Sequence, residues 1–297
     1  MLINKQALDA IRKTFVSLYD ASFGKAEPQW QRVAMRTTSS TSENVYGWLG
    51  ASTRIRKWVG DRVIQNLKNH AFTIKNEPFE GTVSVDRDHI EDDNLGVYSP
   101  LVSQLGDDAA NHPDELVFDL LAASFTTACY DGQYLIDTDH PVLDENGNEI
   151  SVSNSGGGTG NAWFLIDDTK AVKPIIFQER NPFKFTALDD DKDENVFMRK
   201  KFIYGVDARM NVGVGLWQLI FGSKQDLTAD NYSTAYTAME KFKGDNGRPL
   251  RIKPRLLVVG PSNRDAGKEL LEAERNAAGA TNTHRNTAEL LVVPWLD

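Results

Sequence analysis

The chain has 297 residues and a mass of 33.1 kDa, with 40% hydrophobic and 25% charged residues. That balance excludes a disordered or fibrous polymer and fits one large domain or two ordinary ones. Lys and Arg number 33 against 42 Asp and Glu, a formal net charge of −9, so a surface built to coat DNA or an anionic membrane is excluded and any nucleic-acid contact must come from a local patch. The single cysteine, Cys129, excludes an internal disulfide framework and a multi-thiolate metal site. Lys5, Asp9, Arg12 and Lys13 stand where a secretory signal would need an apolar run, which points to the cytoplasm. The uncharged stretch 210–223 is too short for a membrane span.

Residues 4–23 have the period of an amphipathic helix, with Leu8, Ile11, Phe15 and Leu18 on one stripe and charges between them. A small-polar loop at 37–44 precedes Tyr46-Gly-Trp-Leu-Gly50. Ile55, Trp58, Val59 and Val63 then share one face of a short expected helix, with Arg54, Arg56, Lys57 and Arg62 on the other. Segments 71–76 and 79–86 alternate like the strands of a hairpin. Ser99-Pro100 predicts the start of a long helix that Pro113 should kink or split. Residues 130–162 are rich in turn signals, including Asn146-Gly147. From Trp163 to Ser223 the pattern reads mostly as strand, with Val196-Phe-Met198 among the strands and an acidic loop at 189–194. Helices near 228–242 and 262–275 and strands at 256–259 and 289–293 close the chain, a small α/β or α+β layer.

Motifs for chemistry are weak. Gly156-Gly-Gly-Thr-Gly160 has no Lys-Ser/Thr after it and fails as a phosphate loop. Cys129 and His140 lack any sign of an oxyanion hole. Asp137-Thr-Asp139-His140 has oxygen and nitrogen donors that would suit a divalent ion, yet the same residues make an ordinary turn. The acidic loop at 189–194 lacks the glycine and glutamate of a calcium loop. No constellation makes an enzyme.

Six phrases in order carry more information than these motifs. They are Tyr46-Gly-Trp-Leu-Gly50, His112-Pro-Asp-Glu-Leu116, Tyr130-Asp-Gly-Gln-Tyr134 with Asp137-Thr-Asp-His-Pro141, Lys173-Pro-Ile-Ile-Phe-Gln178, Tyr204-Gly-Val-Asp-Ala-Arg209 with Gly215-Leu-Trp-Gln-Leu219, and Glu289-Leu-Leu-Val-Val-Pro-Trp295. Together they make a chain that closely resembles the major head subunits (major capsid proteins) of Mu-like phages and prophages over essentially its whole length.

That resemblance implies an α+β capsid fold of the Hong Kong 97 type. It would place an N-terminal arm at 1–32, the extended loop and flanking peripheral strands at 33–98, and the spine helix at 99–129. An axial-domain loop would follow at 130–162, peripheral strands at 163–224 and an axial domain, permuted relative to many relatives, at 225–297. Pentamers and hexamers of an icosahedral shell around double-stranded DNA are the implied assembly. The implied partners are other copies, a separate scaffolding protein, a maturation protease, a portal and a decoration protein, with DNA held non-specifically and no membrane or cofactor. Contacts between subunits are expected at Leu8, Ile11 and Phe15 of the arm, at Trp48, Lys57, Trp58 and Arg62 of the loop, and at Asp137, Asp139 and His140 near the capsomer axis. The competing readings are a tail-tube or decoration subunit and a metal-dependent enzyme using Asp139 and His140.

Overall fold

The Asn4 side chain accepts a hydrogen bond from the Ala7 N–H at 2.9 Å and so starts helix α1 (Lys5–Phe23). The computed structural model describes residues 4–49, 72–92, 95–190, 192–276 and 278–297. After α1 come strands β1 (Ala34–Thr38), β2 (Glu43–Tyr46), β3 (Phe72–Lys75) and β4 (Glu77–Asp86), and helices α2 (Arg87–Glu91) and α3 (Ser99–Ala122). Strands β5 (His140–Leu143), β6 (Glu149–Val152), β7 (Ser155–Gly158), β8 (Trp163–Ile166) and β9 (Ile175–Leu188) lead to helix α4 (Glu194–Arg199), β10 (Lys201–Val214) and β11 (Ile220–Lys224). The chain finishes with α5 (Ala229–Glu240), β12 (Lys243–Gly244), β13 (Arg248–Pro249), β14 (Leu256–Val259), α6 (Arg264–Leu271) and β15 (Glu289–Val292).

Two sheets organise these elements. One has the order β1-β9-β10-β4, with β1 parallel to β9 and the other pairs antiparallel. The other has the order β15-β14-β8-β11-β7. Strands β8 and β14 are buried on every residue, Trp163 to Ile166 and Leu256 to Val259, as expected of central strands covered on both faces. This pairing corrects the division at 163–224: β8 and β11 join the C-terminal strands, while β9 and β10 form the other sheet. It also separates the expected hairpin at 71–86, because β3 pairs with β2 and β4 pairs with β10.

Helix α3 passes through Pro113 unbroken. Proline removes one intrahelical hydrogen bond, but burial continues on both sides of it, at Val102, Gly106 and Ala109 and then at Asp114, Val117, Phe118 and Leu121. The first of these groups packs with Leu8, Ile11, Phe15 and Tyr19 of α1 and with Val85, Phe202, Tyr204 and Val206 of the four-stranded sheet. The second enters the larger core around Trp163, Phe164, Trp217 and Leu257. Trp295, two residues from the last residue shown, stacks on Phe118 with ring centroids 5.6 Å apart. Arg32 joins the same regions by pairing with Asp168 at 3.1 Å and Glu289 at 2.8 Å.

Val196-Phe-Met198 lies in α4 and not in a strand. Only Val196 enters a core there, and strand preference is in large part the fit of alternate side chains on a half-buried surface.

Candidate assembly surfaces

The β2–β3 pair, at the root of residues 50–71, is tied to the sheet by a buried polar network. The Tyr46 hydroxyl donates to Gln178 Oε1 at 2.7 Å and accepts from the Thr37 hydroxyl at 2.7 Å. Gln178 Nε2 in turn donates to the Ile74 carbonyl at 3.1 Å and Asn76 Oδ1 at 2.8 Å. Asn76 closes the set by donating to Ser39 Oγ and the Thr41 carbonyl, each at 2.9 Å. Gln178 and Asn76 are buried, so each unpaired group would carry its full desolvation cost. A network satisfied this fully fixes how β2 and β3 leave the body. Trp48 sits at this root, its ring edge-on to Tyr46 and 37% exposed, while Leu49 beside it is buried. Lys57, Trp58 and Arg62 lie outside the described residues.

The arm residues are placed differently from the expectation. Leu8, Ile11 and Phe15 are 5%, 4% and 2% exposed within a single chain. The ring of Phe15 meets that of Tyr204 edge-on at 4.9 Å. Their stripe is therefore covered by the subunit's own α3 and sheet, which corrects its assignment as a contact surface for a neighbour. The physical reason is the length of α3, which offers a second buried face beyond the larger core.

The loop at 130–160 also divides. His140 is fully buried, its ring parallel to Trp217 with centroids 4.0 Å apart and planes 7° apart. Its Nδ1 lies 2.7 Å from Asp131 Oδ2 and its Nε2 lies 3.1 Å from Asn154 Oδ1. Asn154 is itself buried, with its amide donating to the Leu135, Ile220 and Trp217 carbonyls at 2.8, 3.2 and 3.3 Å, and its Oδ1 accepting from the Asp137 N–H at 2.8 Å. His140 is thus an internal clamp and not part of a ring of charges around an axis. A single sequence offers no signal for Asn154 as the centre of this loop, since its partners are backbone carbonyls from two separate segments.

Asp137 turns its carboxylate to the backbone N–H groups of Tyr134 at 3.1 Å and Thr138 at 2.7 Å. Desolvation opposes these bonds, but they prevail and hold its carboxyl below the usual range. Asp139 faces solvent. The structure therefore does not bring Asp137, Asp139 and His140 together around an ion, and both His140 nitrogens already have partners. Among the described residues no group of three His, Cys, Asp or Glu side chains is placed to hold a metal.

What remains is a body with a tightly bonded β2–β3 pair, an exposed aromatic beside it and a second exposed apolar cluster on α4. Such a surface suits association. The sequence model of the family described as "Mu-like prophage major head subunit gpT" matches residues 8–296. The chain belongs to that family.

Among this family's members, the major capsid protein of Escherichia phage Mu is 38% identical to the chain over the full length of both. The Mu-like prophage FluMu major head subunit of Haemophilus influenzae is 43% identical, over 91% of each. Among solved structures, the subunit of the bacteriophage JBD30 procapsid superposes with a TM-score of 0.88 at 42% identity, covering 99% of this chain and 100% of that one. The JBD30 capsid subunit gives 0.77 at 34% identity, with 92% of each covered. The chain is a major capsid protein of the Mu-like class with the α+β, Hong Kong 97-like fold, a structural component of the phage head.

Proposed function

We propose that this head subunit assembles into pentamers and hexamers of an icosahedral shell that encloses double-stranded DNA and that it catalyses no reaction. The likeness to a procapsid subunit over 99% of the chain is the observation that carries this reading. In it the extended segment, with Trp48 at its root and Lys57, Trp58 and Arg62 further out, overlaps a neighbouring subunit. Asp137 and Asp139 lie towards the capsomer axis. The arm, 1–32, belongs to the subunit's own body, and the strands β8, β11, β14 and β15 form the axial domain. Other copies of the chain are the main partner, joined by a separate scaffolding protein, a maturation protease, a portal and a decoration protein. Assembly takes place in the bacterial host cytoplasm. A net charge of −9 supports weak, non-specific contact with packaged DNA.

Expression with the other head proteins of the phage, followed by electron microscopy, tests this. Closed shells of uniform diameter are the expected product. Tubes would favour a tail-tube subunit, and binding only to preformed heads would favour a decoration subunit.

A further inference from the structure

Between Glu240 and Leu256 the chain turns locally basic. Lys241, Lys243, Arg248, Arg251, Lys253 and Arg255 stand against the single acid Asp245, a local charge of +5 in a protein of net −9. Arg251, Lys253 and Arg255 are exposed, while Ile252, Pro254 and Leu256 are buried. That alternation marks an extended segment leading into β14. Its backbone is bonded in place: the Lys253 N–H donates to Asp167 Oδ2 at 2.9 Å and the Arg255 N–H to the Ile166 carbonyl at 3.0 Å. At the other end Lys170 Nζ donates to the Arg251 carbonyl at 3.1 Å. Arg251 itself sits in the left-handed region at φ 55°, which is uncommon for a residue with a side chain. Three cations about 7 Å apart therefore form a row on a fixed base, with Lys170 beside it.

The carboxylates near this row are already engaged. Asp168 and Glu289 both pair with Arg32, and Lys173 Nζ donates to the Asp168 carbonyl. Asp167 is buried and accepts from the N–H groups of Thr169 and Lys253. Asp245 accepts from the Leu143 N–H at 3.1 Å. Among the described residues, Arg251, Lys253 and Arg255 form no ion pair.

We propose that this row binds the phosphate backbone of double-stranded DNA without regard to sequence. The inference rests on the shell reading above and gives an otherwise acidic subunit one local point of contact with the genome. Two observations favour DNA over an acidic protein segment. The first is composition: the large exposed apolar side chains of the described residues, such as Trp48, Leu101 and Phe197, all lie elsewhere. Interfaces between proteins centre on such side chains, whereas DNA interfaces are polar and strongly positive. The second is spacing. The row spans about 14 Å, over which one DNA strand presents about four phosphates at roughly 3.4 Å each. A segment bonded into a sheet offers no helix or free ribbon to enter a groove, so contact stays with the phosphates.

Fluorescence anisotropy on the purified full-length subunit, with two short duplexes of unrelated sequence, tests this. The wild type should bind both duplexes equally, with affinity falling steeply from about 50 to 200 mM salt. R251Q/K253Q/R255Q should bind about tenfold or more weakly at the low end, and its slope of log affinity against log salt should be shallower by about two to three. K5Q/K13Q/K25Q removes the same charge from exposed positions near the N-terminus and should stay within about twofold of the wild type. Both variants should keep the wild-type melting temperature, because all six side chains are exposed, and should form shells at wild-type yield with the other head proteins. No binding by the wild type, or an unchanged affinity and slope in R251Q/K253Q/R255Q, would overturn the assignment. Equal losses in the two triple variants would also do so, by reducing the effect to net charge. Tighter binding of the wild type to polyglutamate than to either duplex would give the row to an acidic protein segment instead. Loss of shells from R251Q/K253Q/R255Q alone would make it a contact between copies. A wild type that binds DNA as described but forms no shells would keep the row and overturn the shell reading.

Discussion

Gly106 of α3 lies directly against the backbone of Tyr19 in α1: a β-carbon built on Gly106 would stand 2.5 Å from the Tyr19 carbonyl oxygen. The missing side chain lets the two helices cross at backbone distance and seats the α1 stripe in its core. Alanine normally gains about 1 kcal/mol over glycine inside a helix. Here the obstacle is backbone, which cannot rotate away, so α1 must shift. Gly106→Ala should be net destabilising by about 1–3 kcal/mol, read as a lower urea midpoint. A midpoint at or above that of the wild type would show that α1 does not sit on α3 in this way.

Asp114 supplies a pH dependence whose sign can be worked out. Its carboxylate accepts from the Trp30 N–H at 2.7 Å and the Gln29 N–H at 2.9 Å while being buried. Desolvation raises its pKa above 3.8, and the two backbone bonds offset this only in part. With the folded value above the unfolded one, the group's contribution is fully present below the unfolded value and is lost as pH rises through the folded one. Asp114→Asn keeps an oxygen for both N–H groups and does not titrate. The stability of the wild type minus that of this variant should therefore decrease as pH rises from about 3.5 to 7. A flat or rising difference in denaturation midpoints over that range would contradict the assignment.

The clamp around Asn154 should be among the least tolerant positions in the chain. Asn154→Asp turns a donor to three carbonyls into a buried acceptor and should cost about 3 kcal/mol or more. His140→Phe keeps a ring against Trp217 but leaves Asp131 and Asn154 without their partner, so it should also destabilise. Thermal melts of the purified subunit read both effects, and a wild-type melting temperature for either would remove the clamp.

Cys129 should be chemically silent in the folded subunit. Burial pushes its thiol up and the nearby Asp131 carboxylate adds to the shift; the thiolate, which is the reactive form, is correspondingly scarce. Reaction with a disulfide reagent at pH 8 should be at least about hundredfold slower than after denaturation, when one thiol per chain reacts. Fast labelling of the native protein would place Cys129 in an open environment.

Helices with one apolar stripe were legible from period alone: the readings at 4–23 and 228–242 correspond to α1 and α5, and 256–259 is β14. Strand partners were not. Alternation identifies a strand but carries no information about which distant segment completes its ladder, so β3 and β4 look like a hairpin until their neighbours are known. The expected surface residues failed for a related reason. A stripe such as Leu8, Ile11 and Phe15 has the same spacing whether its own chain or another covers it. His140 reads as a turn or ligand residue because its ring partner, Trp217, is 77 positions away. Conversely, Phe197 and Met198 look like core residues by composition, and only the fold exposes them.

The five-stranded sheet also sets when the subunit can first exist. Its central strand β8 pairs with β14, some ninety positions later, and β15 follows at 289–292. Trp295 then covers Phe118 of α3. Ladders between such distant segments form slowly because long loops must close first. A ribosome that has made the first 250 residues holds a chain whose largest core is still open on one side. Synthesis thus acts as a timer: the larger sheet cannot close until β14 and β15 have emerged.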